Sequence, residues 1–174
     1  NSFQPTNGGA TYSGGSHLDA FIAKFDGYGS LVWATYFGGV KVEIANAIAF
    51  DNFNSIYIGG VTTGMDSIAT PGCFQSAPDI GFLARFNATS GYRSWGTYYN
   101  GVVNAISVSN RNKIFIGGST FALTGIATSG TFQTSFNGAA YDGFVAMFEP
   151  DGTRRWGTYY GGGGVDEVFG LTND

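Results

Sequence analysis

Ser30-Leu31-Val32-Trp33-Ala34-Thr35-Tyr36-Phe37-Gly38-Gly39 is the stretch that decides the fold. It returns as Arg93-Ser94-Trp95-Gly96-Thr97-Tyr98-Tyr99-Asn100-Gly101, and again as Arg154-Arg155-Trp156-Gly157-Thr158-Tyr159-Tyr160-Gly161-Gly162. All three tryptophans of the chain sit in this motif, 62 and then 61 residues apart. Spacing so regular marks a repeat protein, built by stacking one supersecondary unit on copies of itself.

Other segments keep step with the tryptophans. Ala20-Phe21-Ile22-Ala23-Lys24-Phe25 recurs as Gly81-Phe82-Leu83-Ala84-Arg85-Phe86 and Gly143-Phe144-Val145-Ala146-Met147-Phe148. Ser55-Ile56-Tyr57-Ile58-Gly59-Gly60 recurs as Lys113-Ile114-Phe115-Ile116-Gly117-Gly118. Phe3-Gln4, Phe74-Gln75 and Phe132-Gln133 mark one junction three times. Asn46-Ala47-Ile48-Ala49-Phe50 recurs as Asn104-Ala105-Ile106-Ser107-Val108, and Phe169-Gly170-Leu171-Thr172-Asn173 stands at the same register.

Each segment alternates apolar and polar positions over six or so residues, the period of a half-buried strand. Phe21, Ala23 and Phe25 share one face while Ile22 and Lys24 share the other. Short turns rich in Gly, Asp and Asn, such as Asp26-Gly27-Tyr28-Gly29 and Asp51-Asn52-Phe53-Asn54, join neighbouring strands as antiparallel hairpins. No stretch has helical periodicity. The unit is therefore four short antiparallel strands in about 60 residues, the size of a β-propeller blade. The face formed by Ala45, Ala47 and Ala49 suits an innermost strand, where blades crowd the axis. The Trp-strand suits the wide outer edge, and its three tryptophans are expected to be equivalent and largely buried.

The expected division is a half blade over residues 1–44, blades over 45–99 and 103–160, and the start of a further blade over 165–174. That is eleven strands, fewer than three blades, whereas propellers close with about four to eight. The fold class is all-β, a partial propeller of four-stranded antiparallel blades, and the chain reads as part of a longer protein.

Composition narrows the function classes. Charged residues make up 11% and aromatics 17%, with 29 glycines, which fits short strands and tight turns rather than disorder. The net charge is −4 with no basic run, so nucleic acid is not an expected partner. Cys73 stands alone, which leaves no disulfide or Cys-based metal site within the chain. No apolar run approaches a membrane span.

The order of these strands resembles kelch-type blades, in which a double glycine closes the second strand and a Trp lies on the fourth. Three groups of residues together resemble the bacterial SBBP β-propeller repeat. They are Ile56-Tyr57-Ile58-Gly59-Gly60-Val61-Thr62, Thr70-Pro71-Gly72-Cys73-Phe74-Gln75, and Asp142 to Phe148 with Trp156 to Gly162 and Asp166. The resemblance implies a large secreted or cell-surface bacterial protein, with no activity common to the family. Ile80 departs from the pattern where Asp19 and Asp142 stand, and the link after Asn100 is short and lacks the acid seen at Glu43 and Asp166.

Candidate functional groups lie in the long connections. In an antiparallel blade the 5–18, 61–80 and 119–142 links share one side with the inter-blade links 38–44 and 161–167, and variable loops on a rigid scaffold are where binding residues sit. The ligand-binding candidates there are His17, Glu43, Asp66, Phe136, Tyr141 and Asp166. No catalytic constellation is visible: His17 has no Ser or Cys at any motif spacing, and Gly161–Gly164 lacks the helix and Lys of a phosphate cradle. Asp19, Asp142, Glu43, Asp166 and Glu167 can either serve calcium as oxygen ligands or cap turns by accepting backbone N–H groups. The reading takes no cofactor and no metal, with calcium as the alternative. Tyr98-Tyr99 and Tyr159-Tyr160 are read as blade packing rather than a sugar-stacking surface.

The function expected is a non-enzymatic binding or scaffolding module, adhering to a protein or glycan, with the rest of its own propeller as its other partner. The alternatives are part of a propeller-type lyase or hydrolase, or a structural spacer in a large surface protein.

Overall fold

The computed structural model describes residues 3–8 and 18–173. It is all-β, with ten strands: β1 (Ala20–Phe25), β2 (Leu31–Phe37), β3 (Glu43–Phe50), β4 (Ser55–Thr62), β5 (Gly81–Asn87), β6 (Arg93–Tyr99), β7 (Val102–Val108), β8 (Ile114–Thr120), β9 (Asp142–Phe148) and β10 (Arg154–Tyr160). They form a two-stranded hairpin β1-β2 and two four-stranded antiparallel sheets, in the orders β3-β4-β5-β6 and β7-β8-β9-β10.

The turns behave as their residues dictate. Asp26 Oδ1 accepts from the N–H of Tyr28 and Ser30, and Asp51 Oδ1 from those of Phe53 and Ser55. Such carboxylates fix a tight turn by supplying an acceptor that the backbone lacks. Asn54 and Asn112 carry the positive φ at the equivalent β3-β4 and β7-β8 turns.

Strand alternation feeds two cores. Ile56, Ile58, Phe82, Phe86 and Tyr98 pack against Ile22, Trp33 and Phe37 of the hairpin. Their neighbours Tyr57, Leu83 and Tyr99 point the other way and pack against Val103, Ile116, Phe144 and Phe148 of the next sheet. One sheet thus serves two interfaces because successive side chains leave a strand on opposite faces. The aromatic contacts repeat: Phe37 meets Phe82 at 5.1 Å and Tyr99 meets Phe144 at 4.9 Å between ring centroids. Arg93 lies over Phe3 at 4.9 Å, and Arg154 over Phe74 at 4.6 Å.

The first glycine of each pair lets the neighbouring segment stack closely, and the second lets the inner strand of its own sheet pass close. A Cβ on Gly59 would stand 2.6 Å from Val103 Cγ1, and one on Gly60 would collide with the Ile44 carbonyl. The inner strands β3 and β7 bulge at the same place, between Ala45 and Ala47 and between Val103 and Ala105. The side chain of Asn46, inside the first bulge, reaches Asn104, inside the second.

Two expectations are corrected. Residues 165–173 form no strand, leaving ten strands among the described residues rather than eleven. The segment nevertheless takes an inner strand's seat: Val168 Cγ1 would meet a Cβ on Gly117 at 2.7 Å, as Val103 would on Gly59. It has the packing surface of a strand without a partner to complete the ladder. The tryptophans are equivalent in position but not in burial. Trp33 is 6% exposed, whereas Trp95 and Trp156 are half-buried. Trp33 Nε1 donates to Ala88 O, and Trp95 Nε1 to Pro150 O, each on the outer turn of the following sheet. Their rings sit on Gly91 and Gly152, both with positive φ. Trp156 has Phe115 of its own sheet as a ring neighbour, and no such turn lies over it among the described residues.

Candidate functional site

The connections at the start of β1, β5 and β9 and at the end of β2, β6 and β10 lie on one side of the sheets, as antiparallel order requires. Their acids are organised by a latch that begins with the repeated Phe-Gln. Gln4 N, Gln75 N and Gln133 N each donate to a threonine Oγ1 on the adjacent Trp-strand: Thr35, Thr97 and Thr158, at 2.8, 2.8 and 2.9 Å. The glutamine side chain then turns toward an acid.

In the first latch Gln4 Nε2 donates to Asp19 Oδ2 at 2.8 Å, and Gly8 N donates to the same oxygen at 2.7 Å. In the third, Gln133 Nε2 and Asn137 N donate to Asp142 Oδ2 at 3.2 and 2.7 Å. In both cases the other oxygen, Oδ1, is buried without a hydrogen-bond partner among the described residues. It faces a glycine: a Cβ on Gly38 would stand 2.9 Å from Asp19 Oδ1, and one on Gly161 would stand 2.8 Å from Asp142 Oδ1.

A second acid arrives at each glycine. Glu43 Oε2 accepts from Gly39 N at 2.9 Å, and Asp166 Oδ2 accepts from Gly162 N at 2.9 Å. Expected in a loop, Glu43 is the first residue of β3 and is fully buried, with Oε1 accepting from Thr62 Oγ1. Asp66 joins from the β4-β5 loop, its Oδ1 buried without a partner and 2.5 Å from a Cβ on Gly39.

The middle latch differs throughout. Gln75 Nε2 bonds Asp79 Oδ2 at 3.0 Å, and Asp79 Oδ1 accepts from Ile80 N, so both oxygens are satisfied. Ile80 replaces the acid, Asn100 replaces the glycine, and Asn100 Nδ2 bonds Thr124 O, where Thr124 stands at the register of Asp66.

The field of the acids reaches their neighbours. Burial foremost, with the charges of Asp66 and Glu43 behind it, pushes the Tyr98 hydroxyl up to about 12. The Tyr159 hydroxyl is raised by burial and by Asp142.

Of the six candidates, Glu43 and Asp66 meet near Gly38-Gly39, and Asp166 lies with Asp142 at Gly161. Phe136 is half-buried against the Tyr159 ring. Tyr141 is exposed, 6.2 Å from the exposed ring of Phe121. His17 lies outside the described residues. Glu167 is exposed. Sequence reasoning missed Phe121 and Leu123, which follow a strand end on the loop side, and it weighed Asp19 and Asp142 as calcium ligands or turn caps but not among the ligand-binding candidates. The signal for the latter was present in the repeated Gln and in the common 19-residue step from Asp19 to Gly38 and from Asp142 to Gly161. The tyrosine pairs divide: Tyr98, Tyr99 and Tyr159 are packed inside, while Tyr160 is 60% exposed and stacked on Phe132.

The fold is that of stacked β-propeller-like sheets. Residues 32–66 match the family model of the SBBP β-propeller repeat. The matched stretch runs from β2 through β3 and β4 and includes Gly38, Gly39, Glu43 and Asp66. No curated protein matches the chain.

Proposed function

We propose that the chain is a non-enzymatic binding or scaffolding module of a secreted or cell-surface protein, holding its ligand on the long-loop face. The observation that carries this reading is the set of exposed apolar side chains on the loops of that face. Met65 is 81% and Leu123 71% exposed, and Phe121 and Tyr141 form an exposed aromatic pair. Apolar groups held out on loops of a rigid scaffold mark contact surfaces, and a tilted aromatic pair suits a sugar face or an apolar side chain.

Its other partner is a further blade of the same repeat, seated on the outer face of the β7–β10 sheet. Support comes from repetition within the chain. Phe74 meets Phe148 of the following sheet at 5.6 Å and is 37% exposed, while its counterpart Phe132 is 80% exposed. The space beside Trp95 amounts to about 50 Å³ with the Asp151-Gly152 turn in it, and the matching space at Trp156 to about 540 Å³.

The test of ligand binding is retention of the labelled protein on a panel of immobilised glycans and on bacterial cells. Phe121→Ala combined with Leu123→Ser should lower retention by about tenfold, the loss of roughly 1.4 kcal/mol, with circular dichroism unchanged. Unchanged retention would place the ligand elsewhere.

A further inference from the structure

We propose that the Asp142–Gly161–Asp166 cluster, and its counterpart at Asp19, Gly38 and Glu43, each hold one hard divalent cation of the calcium class.

Asp142 is 0% exposed, and one of its two oxygens has no hydrogen-bond partner. A carboxylate buried with an unpaired oxygen is costly unless a positive charge or a proton meets it. Neither Asp142 nor Asp166 pairs with a Lys or Arg among the described residues; the ion pairs there join Lys113 and Arg155 to Glu149. Both aspartates instead press toward one point. A Cβ on Gly161 would stand 2.8 Å from Asp142 Oδ1 and 2.9 Å from Asp166 Oδ2, and one on Gly138 would stand 2.5 Å from Asp142 Oδ1. Glycine leaves open the space that any other residue would fill.

The donor set is all oxygen, which selects calcium over softer metals. No group of three or more acid, His or Cys side chains among the described residues is arranged to hold an ion alone. Loop carbonyls and water therefore complete the shell, as they commonly do for calcium.

The chain contains its own control. The first and third latches keep acid, glycine and second acid together, each with the free oxygen aimed at the glycine. The middle latch changes all of them together, to Ile80, Asn100 and a shortened link, and Asp79 there has both oxygens bonded. Acids that served only to cap turns would not be lost together with the glycine that faces them.

Calcium chloride titrated into the full chain by calorimetry, with melting followed by circular dichroism, tests this. The expected result is two sites per chain with dissociation constants of about 0.1–1 mM, the range of extracellular modules, and a melting temperature that rises with calcium. Asp142→Asn should remove one site and Asp19→Asn the other, each weakening its own site at least tenfold. Asp79→Asn should leave both intact. If Asp142→Asn does not fold, Asp166→Asn and Gly161→Ala carry the test, the added methyl closing the site without changing charge. No heat and no melting shift up to about 10 mM calcium, well above that range, would overturn the proposal. So would an equal loss of binding in Asp79→Asn.

Discussion

Replacing Trp95 by Ala tests the stacking of the sheets most directly. The ring rests on Gly152 of the next sheet, 3.2 Å from where a Cβ would be, and its Nε1 donates to Pro150 O at 2.9 Å. A fully buried Trp truncated to Ala costs about 3–5 kcal/mol. Trp95 is half-buried, so about half of that applies. Losing the hydrogen bond adds about 1 kcal/mol, moderated because the turn carbonyl can turn to water. The expected cost is about 2–3 kcal/mol, a fall of about 4–12 °C in melting temperature for a domain of this size. Trp156→Ala is the internal reference. Its ring is half-buried as well but meets Phe115 and no following turn, so without that hydrogen bond it should cost about 1 kcal/mol less than Trp95→Ala and lower the melting temperature by about 2–4 °C less. Thermal melts followed by circular dichroism measure both. Iodide quenching should rank the indoles independently, with Trp33 the most protected. Equal destabilisation by the two substitutions would refute the view that each Trp acts by docking on the next sheet's turn.

Burial holds the Tyr99 hydroxyl up to about 12, above the ordinary value of 10.0. The unfolded chain therefore releases that proton first, so this contribution to stability is whole below pH 10 and is lost as pH rises from 10 to 12. Denaturant midpoints across that window should fall by the equivalent of about 2–3 kcal/mol for Tyr99 alone; a slope identical in Tyr99→Phe would contradict this. The bare face at Phe132, Trp156 and Tyr160 should make the chain associate as its concentration rises, and Phe132→Ser should reduce that association in light scattering. A strictly monomeric chain at every concentration would count against a further blade as the occupant. Replacing residues 63–70 and 122–127 by Gly-Ser links would also remove the fully buried Ile68 and Ile126, so the sharper test is Met65→Ser with Leu123→Ser, both exposed, which should lower retention on the target surface while the melting temperature changes little; unchanged retention would remove the long-loop face from the function.

The strands were legible because their causes are local. Alternation in Phe21 to Phe25, Asx residues in Asp51 to Asn54 and a Gly-Gly at the end of each second strand act within a few residues. Repetition then multiplies a weak local signal into a firm one. The sidedness of the loops also followed, since antiparallel order alone assigns it. What the sequence left open depends on which copy lies beside which. Trp33, Trp95 and Trp156 have near-identical neighbours in the chain, yet their burial is set by whether another sheet's turn lies over them. Residues 165–173 carry an inner strand's packing positions, but a ladder needs a second strand. The acids show the limit most clearly. Asp19, Glu43 and Asp66 are far apart in sequence and come from a loop, a strand start and the next sheet's loop. Only stacking brings them to Gly38 and Gly39, and only the geometry of the glutamine latch decides which carboxylate oxygen is bonded and which is left facing the glycine.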